Sequence, residues 1–275
     1  MFVLKNLLVI GDSFFGGEKM MWSWLEYFSW DRSLLYKETK VTYTDEKGTY
    51  TKEREALHQK IMATLIKKSK MDNLQPPIAV LVGGGSASGK TSLCESIVKK
   101  NIKKKKRHLI TIDPDEIKKL IPEYKSFQKK FPSSAASLVH KESVDISEML
   151  IQHMLETKRS FLLEGTMAKT GKYVSLVNSL QKRRYEVIVY IVDVPVDVAI
   201  KREAIRAKKT GRSIPRYVIE HTHRRIPKTF LAIKEDVTFF EGYDNQHGLK
   251  LFISTHFTDE NRYKEFLSKS TIRVE

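Results

Sequence analysis

Ile78-Ala-Val-Leu-Val-Gly-Gly84-Gly85-Ser86-Ala87-Ser88-Gly89-Lys90-Thr91-Ser92 is the stretch that decides the fold. Ile78 to Gly83 are apolar or small and read as a buried strand. The residues from Ser92, Ser-Leu-Cys-Glu-Ser-Ile-Val, read as a helix. Between them Gly84-x-x-x-x-Gly89-Lys90-Thr91 has the spacing of a phosphate-binding loop. Glycines let the backbone turn tightly enough for successive N–H groups to face one oxyanion. The helix that follows adds the positive end of its dipole. Gly84, Gly85, Ser86, Ala87, Ser88, Gly89, Lys90, Thr91 and Ser92 are therefore expected to cradle a nucleoside triphosphate. Lys90 would reach the β- and γ-phosphates, and the Thr91 hydroxyl would hold Mg²⁺.

Composition sets wider bounds. With 275 residues, 41% of them hydrophobic, the chain can build a full core as one large α/β domain or as a domain with an appendage. Its formal charge of +16, from 49 Lys and Arg against 33 Asp and Glu, favours anionic partners: nucleotides, nucleic acid or an acidic membrane surface. A single cysteine, Cys94, excludes an internal disulfide and points to a reducing compartment. Its place just after the loop suggests a small buried residue. No stretch approaches the ~18 uninterrupted apolar residues of a membrane span. The apolar N-terminus is broken by Lys5 and Asn6 and lacks a small-residue cleavage site, so a cytoplasmic location is expected.

Outward from the loop, residues 1–75 read as a helical, aromatic-rich lead-in that packs on the core, and 76–275 as the phosphate-loop domain. Phe14, Phe15, Trp22, Trp24, Tyr27, Phe28 and Trp30 crowd the first 35 residues. A packing element is the plain reading, and a membrane-surface or partner helix the sharper one. Leu8-Val-Ile-Gly-Asp12-Ser13 looks like a serine-esterase nucleophile block with Asp244-x-x-His247 as its partner, but the oxyanion-hole blocks are missing. Thr51 to Lys68 reads as an amphipathic helix, with Leu57, Ile61 and Leu65 at four-residue steps and Thr51 as N-cap. Pro76-Pro77 delivers the chain into the phosphate-loop strand.

Beyond the loop, strand and helix patterns alternate. A helix over 91–100 precedes strand 109–112, and helices around 114–120 and 134–157 precede strand 161–163. A helix near 172–183, strand 187–192, a helix near 196–208 and a late strand 249–254 follow. This order predicts an α/β fold of the P-loop kinase type: a mainly parallel sheet with helices on both faces. Active groups should gather beyond the carboxyl ends of the strands. The basic run 99–107 reads as a solvated connection on the far side from the site. It carries no interleaved aromatic residue to stack a base.

The strand ends carry the chemistry. Asp113-Pro114-Asp115-Glu116 closes the second strand, and two carboxylates there suit a base for a hydroxyl and a partner for Mg²⁺. Asp115 is assigned to the base, while Asp113 could instead cap the next helix. Glu164-Gly165-Thr166 closes the third strand; Glu164 either binds Mg²⁺ through water or holds the acceptor, and Gly165 allows close backbone approach. Glu148 and Asp145 share one face of the preceding helix, where a solvated face is the default. The helix after the fourth strand carries Arg202 and Arg206 on one face, and Arg212 follows on a loop bounded by Gly211 and Pro215. Arginines so placed can neutralise charge on a moving phosphoryl group. His221 and His223 read as ordinary residues.

Gly84 to Thr91, Asp113-Pro-Asp115, Glu148, Glu164-Gly-Thr166, Arg206 and Gly211-Arg212-x-x-Pro215 together resemble the zeta-toxin family of kinases, over roughly residues 50–255. The resemblance implies that ATP·Mg²⁺ phosphorylates a 3′-hydroxyl of UDP-N-acetylglucosamine. It further implies that Lys90 and Thr91 hold ATP and Mg²⁺, and that Asp115 deprotonates the acceptor. Glu148, Glu164 and Thr166, with Asp113 beside them, would contact the nucleotide sugar, and Arg206 and Arg212 would grip the transferring phosphate. A protein antitoxin that blocks the ATP site is the partner it implies. The best-known members carry an arginine two residues after that threonine; here Ala168 stands there, followed by Lys169. NAD or another nucleotide is the alternative acceptor, and a nucleic-acid-directed kinase or binder the alternative class.

Overall fold

The structure is a computed structural model that describes residues 36–68, 75–211 and 213–271. Residues 38–275 form one compact unit. In chain order its elements are α1 (Thr39–Tyr43), α2 (Lys52–Lys68), β1 (Ile78–Gly84) and α3 (Lys90–Leu93). A π-helical turn, Cys94–Val98, then leads into α4 (Lys99–Lys104). Next come β2 (Ile110–Ile112), α5 (Pro114–Lys118), α6 (Pro122–Lys130), α7 (Ala135–Leu138), α8 (His140–Thr157) and β3 (Phe161–Gly165). After these follow α9 (Thr170–Lys182), β4 (Glu186–Asp193), α10 (Val196–Thr210) and α11 (Arg216–Ile233). The chain closes with β5 (Phe239–Asp244), β6 (Lys250–Ser254), β7 (Phe257–Thr258) and α12 (Glu260–Ser268).

The strands form a seven-stranded sheet in the order β2-β3-β1-β4-β5-β6-β7. The first five run parallel, and β6 and β7 are antiparallel. β1 is buried along its whole length, as an apolar run covered on both faces must be. Its alternate residues feed two cores. Ala79 and Leu81 join the larger one, with Ile117, Ile146, Leu150, Phe230 and Phe266 from the helices of one face. Ile78, Val80 and Val82 pack with Leu93, Cys94, Val98 and Ile102 on the other. Ile61 and Met62 of α2 belong to the larger core, so the lead-in helix packs on the domain. Thr51 caps that helix, accepting from the Arg54 amide at 3.3 Å.

Register aligns the strand ends. Val82 pairs with Glu164, Ile112 with Leu163, Gly84 with Val192 and Asp193 with Asp244. The residues just beyond β2, β3, β1 and β4 therefore stand side by side along one edge, about 4.8 Å apart from strand to strand.

Several expectations need correction. The helix expected over 134–157 is two, broken at Val139. The sequence reading placed no element at α6, α11, β5, β7 or α12. β5 is interrupted as a pattern by Gly242, where a side chain would meet Ile253 at 2.7 Å and where the pairing with β6 shifts register. The aromatic segment and the esterase-like Asp12-Ser13 lie outside the described residues, as does Arg212.

Candidate active site

The loop after β1 is held tightly from three sides. Gly89 has φ +100°, a left-handed conformation that glycine adopts without strain, and it starts α3. Ser88 N–H closes back on Gly85 O at 3.2 Å. From α11, the Thr222 hydroxyl accepts from the Ser86 N–H (3.2 Å), and the His223 imidazole donates through Nε2 to Ser86 O (3.0 Å). From the turn after β5, Asn245 donates through Nδ2 to Ser88 O at 3.0 Å. Packing leaves no slack: a Cβ on Gly85 would sit 2.3 Å from the His223 ring, and one on Gly83 would sit 2.0 Å from Met167 Sδ.

His223 is thus no ordinary residue. It is fully buried, and burial pushes its pKa down to about 4, so it stays a neutral donor. Behind it lies Asp193 at the end of β4, which accepts from Lys269 Nζ (2.6 and 2.7 Å) and from Arg262 (2.6 Å). Thr222, His223 and Asn245 escaped the sequence reading. Their stretches, Glu220-His-Thr-His-Arg224 and Asp244-Asn-Gln-His247, are polar throughout, so nothing local singles them out.

Lys90 folds back over the loop, donating to Gly84 O (2.9 Å) and Gly85 O (3.1 Å). Burial lowers its pKa, while the charges of Asp115, Glu164 and Asp113 act the other way and Arg206 adds to the lowering. All four charges therefore converge on one ammonium. Asp113 accepts from the Asp115 amide at 2.8 Å and caps α5, so the capping alternative describes its geometry. Burial raises its pKa to about 6, and the neighbouring carboxylates of Asp115 and Glu164 push the same way against that hydrogen bond. Asp115 is half-exposed and accepts from Lys118 Nζ at 2.7 Å; Lys118 is itself buried, a positioning contact that the sequence did not announce. Cys94 is buried nearby, and burial chiefly, with the charge of Glu164, raises its thiol pKa.

The remaining candidates spread outward. Arg206 pairs with Glu203, which also accepts from the Ile214 amide at 2.9 Å and so ties α10 to the loop before α11. Arg202, though on the same helix face by spacing, donates to the carbonyls of Asn245 (2.7 Å) and Gln246 and braces that turn instead. Glu148 is half-exposed and pairs with Lys172 at 2.7 Å, beside the segment that follows Thr166. In that segment Ala168 O accepts from Arg225 Nε at 3.2 Å, so a guanidinium does reach the loop, from α11 rather than from position 168. Thr91 and Ser92 are exposed at the start of α3. Among the described residues no group of three His, Cys, Asp or Glu is close enough to hold a metal ion by itself. A hydroxyl beside a triphosphate, with carboxylates nearby, instead suits Mg²⁺, which keeps several waters and takes one or two protein ligands plus phosphates.

The family model for the zeta toxin matches residues 62–251. The chain belongs to the zeta toxin family. It resembles Toxin zeta of Streptococcus pyogenes, at 25% identity over 208 residues covering 73% of this chain and 71% of that protein. Among solved structures, one from the PezAT chromosomal toxin-antitoxin system of Streptococcus pneumoniae superposes with a TM-score of 0.61 at 18% identity, over 79% of this chain and 88% of that one. An AvrRxo1-ORF1:-ORF2 complex with ATP gives 0.62 at 15% identity, over 84% and 76%. This zeta-family chain is an ATP-dependent phosphotransferase. Among its described residues no helix is long and apolar enough to cross a membrane.

Proposed function

We propose that this zeta-family kinase transfers the γ-phosphate of ATP to a sugar hydroxyl of a nucleotide sugar, with UDP-N-acetylglucosamine the favoured acceptor. The observation that carries the reading is Lys90 folded over the glycine loop, donating to Gly84 O and Gly85 O, with the charges of Asp115, Asp113 and Glu164 acting on its ammonium. A carboxylate just beyond β2 acting on the lysine of the glycine loop supports a reading in which an acceptor hydroxyl and a terminal phosphate meet between them. In this reading Lys90 and the loop amides hold the triphosphate. Asp115, steadied by Lys118, takes the acceptor proton as the phosphoryl group moves. Arg206, with Arg212 beside it in sequence, neutralises charge on the transferring group. Glu164, Thr166, Asp113 and Glu148 orient the acceptor. Thr91 would hold Mg²⁺, which would supply neutralising charge to the phosphates.

The toxin–antitoxin origin of the PezAT structure supports a protein antitoxin as partner and a cytoplasmic place of action. Incubating the purified chain with γ-labelled ATP and a panel of nucleotide sugars, NAD and RNA tests the assignment. Label should appear in UDP-N-acetylglucosamine. Label in NAD or another nucleotide alone would move the acceptor class, and label in RNA alone would overturn the nucleotide-sugar reading.

A further inference from the structure

The edge of the sheet opposite the catalytic loops is strongly basic, and no part of the phosphoryl transfer uses it. Because β2, β3, β1 and β4 run parallel, the turns that enter them all emerge at that opposite edge. The turn into β2 carries Lys103-Lys-Lys-Lys-Arg107, the turn into β3 carries Lys158-Arg159, and the turn into β4 carries Lys182-Arg-Arg184. Contacts confirm the shared edge: Arg107 donates to Pro76 O and to Ser160 Oγ, both at 3.0 Å, and Lys105 pairs with Glu186 at 2.8 Å. The ten Lys and Arg residues of these turns face Glu156 and Glu186, and the neighbouring turn into β5, parallel as well, adds Glu235 and Asp236. Seven of the ten are exposed, and six of those seven are lysine.

We propose that this edge docks the kinase on an anionic lipid surface, with the catalytic mouth turned away toward solvent. Three observations favour lipid over nucleic acid. Lysine supplies a diffuse, strongly hydrated charge suited to a field of headgroups, whereas arginine is the usual choice for bidentate recognition of nucleic-acid phosphates and base edges. The three turns carry no exposed Phe, Tyr or Trp on which a single strand could stack, since Tyr185 is buried and His108 is the exposed ring there. The first 35 residues contain Trp22, Trp24 and Trp30 among other aromatics, the side chains that anchor at a bilayer interface.

The test is co-sedimentation of the full chain with vesicles of phosphatidylcholine alone or with 30% phosphatidylglycerol. Binding should require the anionic lipid and weaken steeply as salt rises and the Debye length shrinks. K103Q/K104Q/K106Q/R184Q changes only exposed side chains; it should lower vesicle partitioning by about 600-fold, from roughly fivefold for each of the four juxtamembrane cations. ATP turnover should stay unchanged, which keeps this result separate from the acceptor assignment. Equal binding to neutral and anionic vesicles would overturn the proposal, as would a quadruple variant that binds like the parent. Tighter binding to duplex RNA or DNA than to vesicles at matched phosphate would also overturn it, and would make nucleic acid the occupant.

Discussion

Asp115 and Lys90 sit on the helices that follow β2 and β1, and the charge of one bears on the proton of the other. That coupling makes the residue-scale predictions separable. Lys90→Ala removes a phosphate contact that strengthens as charge develops, so ATP use should collapse along with ATP affinity. Asp115→Asn keeps size and shape; titration calorimetry should show ATP affinity nearly unchanged, while single-turnover transfer falls by about 10² to 10⁴, the range for loss of a general base. An Asp115→Asn chain of parental activity would remove the base assignment. The pH dependence points to Asp113. Its carboxyl, raised by burial and by its acidic neighbours, is protonated below about 6 and ionised above. Since kcat/KM reports groups of the free enzyme, its acidic limb should fall as pH drops through about 6. Asp113→Asn should flatten that limb while preserving the cap on α5, because asparagine caps as well as aspartate.

At the scale of elements, α11 is the part that turns a glycine-rich turn into a rigid cradle. Its first half presents Thr222 and His223 to both peptide groups of Ser86. His223→Ala should raise the KM for ATP roughly tenfold, the equivalent of one lost hydrogen bond to a loop that must stay preorganised. His223→Gln, which can still donate, should recover most of the loss, whereas a merely structural cavity would not distinguish the two. Gly85→Ala drives a methyl into the His223 ring and should disable ATP binding outright. Why α11 was illegible follows from the same contacts. Ile219, Ile226, Phe230 and Ile233 keep a helical stripe, but Thr222 and His223 interrupt it and Pro227 sits inside the helix. The polar residues that broke the apolar period are the ones that hold the loop. β1, β4 and the helix after the loop were readable because their burial follows a simple pattern. β5 was not, since Gly242 and Glu241 break its apolar run where Phe252 and Ile253 crowd against it. In the site, residues at strand ends were legible from position alone. Their supports have no motif: Lys118 lies three residues past Asp115, while Asn245 and Arg225 come from distant sequence.

At the scale of the whole molecule, a buried ionic cluster fastens the lead-in helices to the domain. Arg54 on α2 donates to Glu142 on α8 and to Glu123 on α6, and its guanidinium lies 3.9 Å over the Tyr43 ring of α1. His58 reaches the same Glu142 carboxylate at 2.7 Å, and Tyr43 donates to Glu123 at 2.7 Å. Glu142 is fully buried, and burial alone would raise its pKa. Hydrogen bonds from His58, Arg54 and Thr39 overcome that and hold it at about 2, against an ordinary 4.5. The sign follows from linkage: the unfolded chain binds this proton more readily, so stability rises with pH across that window. The contribution is complete above about pH 4.5 and is lost as pH falls through about 2. At 1.36 kcal/mol per unit, its size is on the order of 3 kcal/mol. Thermal unfolding followed between pH 5 and 2 should show Tm falling along that curve. Glu142→Gln removes the titrating group and leaves a buried guanidinium short of a partner, at a cost of about 3–5 kcal/mol. Its Tm should be lower at neutral pH and should change less across the acid window. A parental acid slope in the Glu142→Gln chain would place the acid sensitivity elsewhere.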